Sequence, residues 1–339
     1  DLESAHRLNE GAEHRVIGMT VETRPDSLSS EVGRECMRLG TTRVELGVQI
    51  LDDDILASVD RGHGVQAVVD ATRVAKDLGL KVCYHVMPGL PGSDPERDVR
   101  SFRQMFEDAR FRPDMVKIYP TLVVKGTRLY EDWRAGRYVP YGTEEAVQVI
   151  AEMKRLVPEY VRIQRIQRDI PAPLIEAGVD KGHLRELAKE RLASMGEKCR
   201  CIRCREVGLL GITDIEPDDL RERVVRYDAS EGREEFISLV LDDWALAGYV
   251  RLRKPEAGPA LIRELKVFGR MARIGEHAGE WQHQGLGGRL LGMAEESARA
   301  DGYAAIKVTS GVGVRSYYAS HGYSRALPYM AKGPASDND

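Results

Sequence analysis

The sequence predicts an α/β chain in two unequal parts. A parallel (β/α) barrel, incomplete as it stands, comes first, and a smaller α+β part follows a basic linker. Three observations predict this. Strand-like and helix-like stretches alternate at βαβ spacing through the first 120 residues. Three of the five cysteines crowd into Cys199-Arg200-Cys201-Ile202-Arg203-Cys204. Near the C-terminus, Gln282-His283-Gln284-Gly285-Leu286-Gly287-Gly288 stands between an apolar strand-like stretch (261–268) and a helix-like one (289–300). The expected boundaries are 1–160 for the barrel part, 161–210 for the linker and 211–333 for the last part.

In the first part, residues 15–21 are expected as a strand running into Glu22-Thr23-Arg24-Pro25-Asp26, and 27–39 as a helix ended by Gly40. Residues 43–49 form the next strand and 66–78 the next helix, closed by Gly79. A third strand (81–87) leads into Pro88-Gly89-Leu90-Pro91-Gly92, then come a helix over 98–106 and a fourth strand over 115–120. Each strand ends on or near a polar residue: Glu22, Gln49, His85 and Lys117. The C-terminal ends of strands are where barrel folds place their chemistry, so Glu22, Gln49 and His85 are candidate cofactor contacts. His63, in the loop Arg61-Gly62-His63, is as compatible with a solvated loop.

The helix expected over 144–157, with Thr143 as its N-cap, carries a core stripe at Ala146, Ile150, Met153 and Val157. From 152 to 205 there are 13 Lys/Arg against 8 Asp/Glu, a basic band in a chain of net charge −4. Such a band fits a polyanion, and also a solvated helical face. In the cysteine run, Cys199, Cys201 and Cys204 could fill three corners of a tetrahedral zinc site. Cys36, Cys83, His183 or water could supply the fourth, and three free thiols remain the alternative. The isolated Cys36 and Cys83 suit small core positions. A composition of 42% hydrophobic and 31% charged residues, with no apolar run of membrane length, points to a soluble, cytoplasmic protein.

The glycine run carries the last part. Glycines at a strand-to-helix junction let the backbone approach a ligand, and the free N–H groups of the first helical turn favour an anion such as pyrophosphate. The Gln-x-x-Gly-x-Gly spacing resembles the coenzyme A loop of the GNAT acetyltransferases. Next come a buried strand (304–310), the turn Gly311-Val312-Gly313, and a short helix over 315–323 with Tyr317 and Tyr318, ending His-Gly-Tyr. That order is similar to the usual GNAT ending, where a tyrosine hydroxyl protonates the departing thiolate. Adjacent helical residues point about 100° apart, so one of the two tyrosines is expected to be a packing aromatic.

A second resemblance covers nearly the whole chain. Val-Glu-Thr-Arg-Pro-Asp, Glu-Leu-Gly-Val-Gln, His-Val-Met-Pro-Gly-Leu-Pro-Gly and Lys-Ile-Tyr-Pro-Thr-Leu-Val look like the latter half of a radical S-adenosylmethionine barrel. With Arg165-Ile166-Gln167-Arg168-Asp169-Ile170-Pro171 and Ile262-Arg263-Glu264-Leu265-Lys266-Val267, they resemble the Elongator catalytic-subunit family, which joins such a barrel to a GNAT domain.

The resemblance implies acetyl-CoA, S-adenosylmethionine and a [4Fe-4S] cluster as cofactors, and tRNA, met at its anticodon, as partner. A homodimer or accessory subunits are possible further partners. It implies conversion of the wobble uridine to 5-carboxymethyluridine through a carbon radical drawn from the acetyl methyl. Pyrophosphate would lie on Leu286, Gly287 and Gly288, with Gln282, Gln284 and Gly285 as further contacts of the coenzyme. Pantetheine would lie on Glu264, Leu265, Lys266 and Val267. Tyr318 is the foremost candidate near the thioester, with Tyr317 beside it. One departure matters: the barrel strands are not preceded by the cysteine triad that holds such a cluster. About four barrel strands are visible where closure asks for more, so the first strands and the cluster cysteines are expected to lie outside this sequence. The rival readings are a GNAT protein N-acetyltransferase with a degenerate barrel and a non-catalytic tRNA-binding scaffold.

Overall fold

A computed structural model describes residues 1–167, 170–212, 215–268 and 285–333. After helix α1 (Leu2–Gly11), strand β1 (Met19–Thr23) opens a parallel sheet. It continues through α2 (Ser30–Arg38), β2 (Thr41–Gln49), α3 (Asp53–Ser58), α4 (Val65–Asp77), β3 (Lys81–Val86), α5 (Pro95–Glu107) and β4 (Met115–Ile118). A short strand β5 (Val123–Val124), α6 (Arg128–Arg134) and α7 (Thr143–Leu156) lead to β6 (Arg162–Ile166). The sheet order is β1-β2-β3-β4-β6, and every pair is parallel. Val44, Leu46, Val82, Tyr84, Val116, Ile118 and Ile163 are buried in the apolar core. The alternate positions Arg43, Glu45, Cys83, His85, Lys117 and Gln164 share the other face.

Three expectations change here. The first strand begins at Met19, not at 15. Val16 is instead drawn off to the C-terminal part, where its carbonyl accepts the Gly313 N–H at 3.0 Å. The stretch expected to begin the linker is a fifth barrel strand, β6, because Ile163 and Ile166 are buried under the sheet while Arg162 and Gln164 face the other way. Gly142, not Thr143, precedes α7, and the Thr143 hydroxyl is committed to Asp180 at 3.1 Å.

Beyond β6 lie β7 (Ile175–Ala177), paired with β5, and the helices α8 (Leu184–Ser194), α9 (Ile202–Arg205) and α10 (Val207–Leu210). The last part is a seven-stranded sheet. Its strands are β8 (Arg221–Ala229), β9 (Gly232–Leu241), β10 (Ala245–Lys254), β11 (Ala260–Val267), β12 (Ile306–Val308), β13 (Ser324–Ala326) and β14 (Tyr329–Lys332). Helix α11 (Leu286–Ala300) covers one face, and α12 (Arg315–Ser320) precedes β13. The order is β13-β14-β12-β11-β10-β9-β8, antiparallel except for β11–β12. Every residue of β10 is buried: α11 packs on it, and α9, α10, Asp77 and Asp114 abut it from the earlier part of the chain. One apolar core runs through both sheets.

Candidate functional site

The barrel face gathers Glu22, Glu45, His85 and Lys117. His85 Nε2 donates to Glu45 at 2.7 Å, and His85 Nδ1 lies 3.3 Å from Glu22. Lys117 also donates to Glu45, and Arg43 sits 3.2 Å from its other oxygen. Burial by itself would raise the Glu45 pKa, but the bonds from His85 and Lys117 hold it down to about 2. The donor atoms of Glu45, Cys83 and His85 lie within 4.8 Å of one another. Lys117 and Arg43 already occupy the Glu45 oxygens, so this set is an ion-paired network and not a cation site.

That network carries an acid dependence. A depressed carboxylate contributes stability that is complete above its unfolded pKa, about 4.3, and is lost as pH falls through the folded value. Between pH 6 and pH 2, wild type should lose on the order of 3 kcal/mol more than Glu45→Gln. Urea unfolding across that window checks it, and parallel curves for the two proteins would refute it.

Gln49, the third candidate on this face, ends β2 with φ 67° and a buried Oε1 that has no hydrogen-bond partner among the described residues. Nearby, Arg61 donates to the Gly47 carbonyl at 2.6 Å, and a Cβ on Gly47 would stand 2.4 Å from that guanidinium nitrogen. The loop after β3 is anchored by buried Asp98, which accepts from Gly89 N–H (2.7 Å), Ser93 Oγ (2.6 Å) and Tyr141 Oη (2.7 Å).

Cys199, Cys201 and Cys204 come together, with their sulfurs within 4.8 Å of one another; the first two are buried and the third half-buried. Ile202 N–H donates to the Val161 carbonyl at 2.9 Å and pins this loop to the start of β6. Lys154 Nζ stands 4.0 Å from Cys204 Sγ, and the Arg185 guanidinium lies in the same electrostatic neighbourhood. Among the described residues, no fourth histidine, cysteine or carboxylate joins the trio. Cys83 is a core residue of the barrel, as expected, while Cys36 is half-buried on α2.

In the last part, β11 pairs with β12 only at Ala260–Ile262. On its other side, Arg251 opposes Glu264 and Leu252 opposes Ile262, so Arg263 is an extra, bulged residue. Beyond the bulge, the edge of Glu264, Leu265, Lys266 and Val267 that faces away from β10 has no strand partner among the described residues. Gly285, with φ 78°, precedes the first turn of α11, and Leu286, Gly287 and Gly288 follow it. Gln282 and Gln284 lie outside the described residues.

Tyr317 reaches this turn: a Cβ on Gly287 would stand 2.5 Å from the Tyr317 hydroxyl. Tyr318 is buried between Tyr317 and Tyr323. Burial first, then the neighbouring Tyr317 and Glu264, pushes its pKa well above the usual tyrosine value. The phenol therefore keeps its proton near neutral pH, as a proton donor must.

One feature was not expected. Between the sheets, Asp114, Lys76, Glu234, Arg251, Arg253 and Arg263 are all buried and mutually paired. Arg263 donates to Asp114 at 2.8 and 2.5 Å and to the Leu80 carbonyl at 2.9 Å. These ion pairs tie the last part of the chain to the barrel part.

The chain is similar to known proteins along nearly its whole length. The Radical SAM superfamily model matches residues 1–104, and the Radical_SAM C-terminal domain model matches 113–194. The tRNA uridine(34) acetyltransferase of Dehalococcoides mccartyi is 47% identical over 98% of this chain and 75% of its own length. The chain belongs to the tRNA uridine(34) acetyltransferase family. Other relatives are the Methanocaldococcus jannaschii member, 46% identical, and human Elongator complex protein 3, 40% identical, each over 98% of this chain. The chain spans 64% and 63% of those two relatives' lengths. A solved structure, the archaeal Methanocaldococcus infernus Elp3 with an N-terminal deletion, superposes with a TM-score of 0.91 at 44% identity. That match covers 98% of this chain and 82% of the other. No helix among the described residues is long and apolar enough to cross a membrane.

Proposed function

We propose that this chain is the acetyl-CoA-using portion of a tRNA wobble-uridine-modifying enzyme, an acyltransferase of radical SAM type whose product is 5-carboxymethyluridine. The observation that carries the reading is the bulge at Arg263, where β11 and β12 part. The freed edge of Glu264, Leu265, Lys266 and Val267 can pair with the amides of pantetheine as it would with an added strand. The N–H groups of Gly285, Leu286, Gly287 and Gly288 would take the pyrophosphate at the N-terminus of the 15-residue helix α11. Tyr318, protonated and buried beside Glu264, would donate to the departing thiolate. Tyr317 packs on Gly287 and fixes the turn. Arg and Lys of the band from Lys154 to Arg205 would meet tRNA phosphates, contacts that position without reading sequence.

The radical SAM family models that match this chain imply S-adenosylmethionine and an iron–sulfur cluster, with Glu22, Gln49 and His85 as contacts for the former. The barrel part of this sequence holds only Cys36 and Cys83, on α2 and β3, so its residues do not fit the cluster. Cys199, Cys201 and Cys204 do fit a structural zinc ion: three close sulfurs, buried, with Lys154 and Arg185 to balance thiolate charge.

Acetyl-CoA hydrolysis with and without tRNA tests the reading. Wild type should be stimulated by tRNA, and Tyr318→Phe should lose on the order of 10²-fold or more. Hydrolysis indifferent to tRNA would favour a simple acetyltransferase, and none at all a binding scaffold.

A further inference from the structure

Two glutamines close barrel strands in the left-handed backbone region: Gln49 at φ 67° and Gln167, just after β6, at φ 78°. Both backbones are locked into the sheet. Met87 N–H donates to the Gln49 carbonyl, and Gln167 N–H donates to the Ile118 carbonyl, each at 2.8 Å. Both side chains present a buried Oε1 without a hydrogen-bond partner among the described residues. A left-handed residue other than glycine and an orphaned buried acceptor are each unfavourable, and such features gather where a ligand offsets them. Gln49 stood out by its place at a strand end. Gln167 lies at the same C-terminal edge of the sheet, two strands beyond β3, with the same two features.

We propose that Gln167 reads a nucleobase at the barrel mouth. Its Oε1 accepts the N–H of the base's pairing edge, and its Nε2 donates to the neighbouring carbonyl oxygen or ring nitrogen, the two-point contact that side-chain amides make with bases. A uracil offers N3–H beside O4, and an adenine offers N6–H beside N1. The uracil would come from the tRNA and the adenine from an adenosyl cofactor. Cytosine offers N4–H beside N3, the adenine pattern, so it is rejected only in the uracil pose, which sets Oε1 against the ring N3. The uracil case rests on the function proposed above.

The test uses the full chain and two variants that tolerate the left-handed backbone, Gln167→Gly and Gln167→Asn. Three probes are bound to each: an anticodon stem-loop with uridine at the wobble position, its cytidine counterpart, and S-adenosylhomocysteine. The variants should weaken one probe about tenfold or more, the scale of a lost two-point base contact. Loss on the uridine stem-loop, with collapse of its advantage over cytidine, assigns uracil; loss on S-adenosylhomocysteine assigns adenine. Gln167→Gly should also raise the melting temperature, because glycine relieves the left-handed backbone. A residue kept only for the fold would lower that temperature and leave binding alone. Variants that bind every probe within twofold of wild type overturn the inference. If wild type binds S-adenosylhomocysteine but neither stem-loop, only the tRNA reading fails; if it binds no probe, both fall.

Discussion

Asp114→Ala should remove on the order of 3–5 kcal/mol from folding, the loss expected when one partner of a buried ion pair goes and its cations stay. Asp114 has no solvent exposure. Its oxygens take two bonds from Arg263 and one from Val82 N–H at 2.8 Å, with Arg251 at 3.5 Å and Lys76 at 3.7 Å. Burial pushes the Lys76 pKa down to about 8, even with Asp114 and Glu234 pulling it up. Without Asp114 it would fall further. For Asp114 itself, Arg263, Lys76 and Arg251 outweigh burial and hold the carboxyl far below its usual range. Its contribution is therefore present above the unfolded pKa and survives well into acid. Domains fold with a margin of about 5–15 kcal/mol, so the variant should sit near the edge of stability. Replacing both partners, Asp114→Leu with Arg263→Met, should cost less than the sum of the singles, since apolar pairs substitute well for buried ion pairs. Chemical denaturation of the four proteins decides it. A single-variant loss below about 1 kcal/mol, the scale of a surface pair, would rule out a buried-charge role.

Metal removal should have the second large effect. Purified protein should carry one equivalent of zinc per chain, and Cys201→Ser should lose it. Zinc binding reaches on the order of 10 kcal/mol in small domains whose folding waits for the metal. Here α9 and β6 already belong to a larger core, so a fraction of that is expected, seen as a lower melting temperature after chelation that returns when zinc is restored. Elemental analysis with thermal melts reads both. A zinc-free protein with an unchanged melt after Cys201→Ser would leave three packed thiols.

The barrel strands were readable because apolar runs of the right length stand between glycine and proline punctuation, as at Lys81–Val86 before Pro88-Gly89. The cysteine trio and the glycine junction were readable because their spacing is local. Strands β8–β10 escaped notice. In Tyr249-Val250-Arg251-Leu252-Arg253-Lys254 the arginines alternate with apolar residues and look like a solvated face. Two of their partners, Asp114 and Asp77, lie more than a hundred positions away, and no local pattern separates a buried arginine from a wet one. β6 was hidden for the same reason: Arg162, Gln164 and Arg165 made a strand look like part of a basic linker. The left-handed backbone at Gln167 has no signature at all, since glutamine does not favour it.

The N-terminal segment bears on biosynthesis. Glu10 pairs with Arg315 and Arg325, and Val16 bonds to Gly313. None of the residues of α1 is buried, so few other contacts hold the segment in place. Its docking surface is among the last stretches of this sequence to leave the ribosome. The Glu10–Arg315 contact spans 305 positions, so the segment stays unplaced until that stretch is made, and closing so long a loop comes late and slowly. Protease sensitivity between α1 and β1 would therefore report whether the stretch around Gly313 and Arg315 has finished folding.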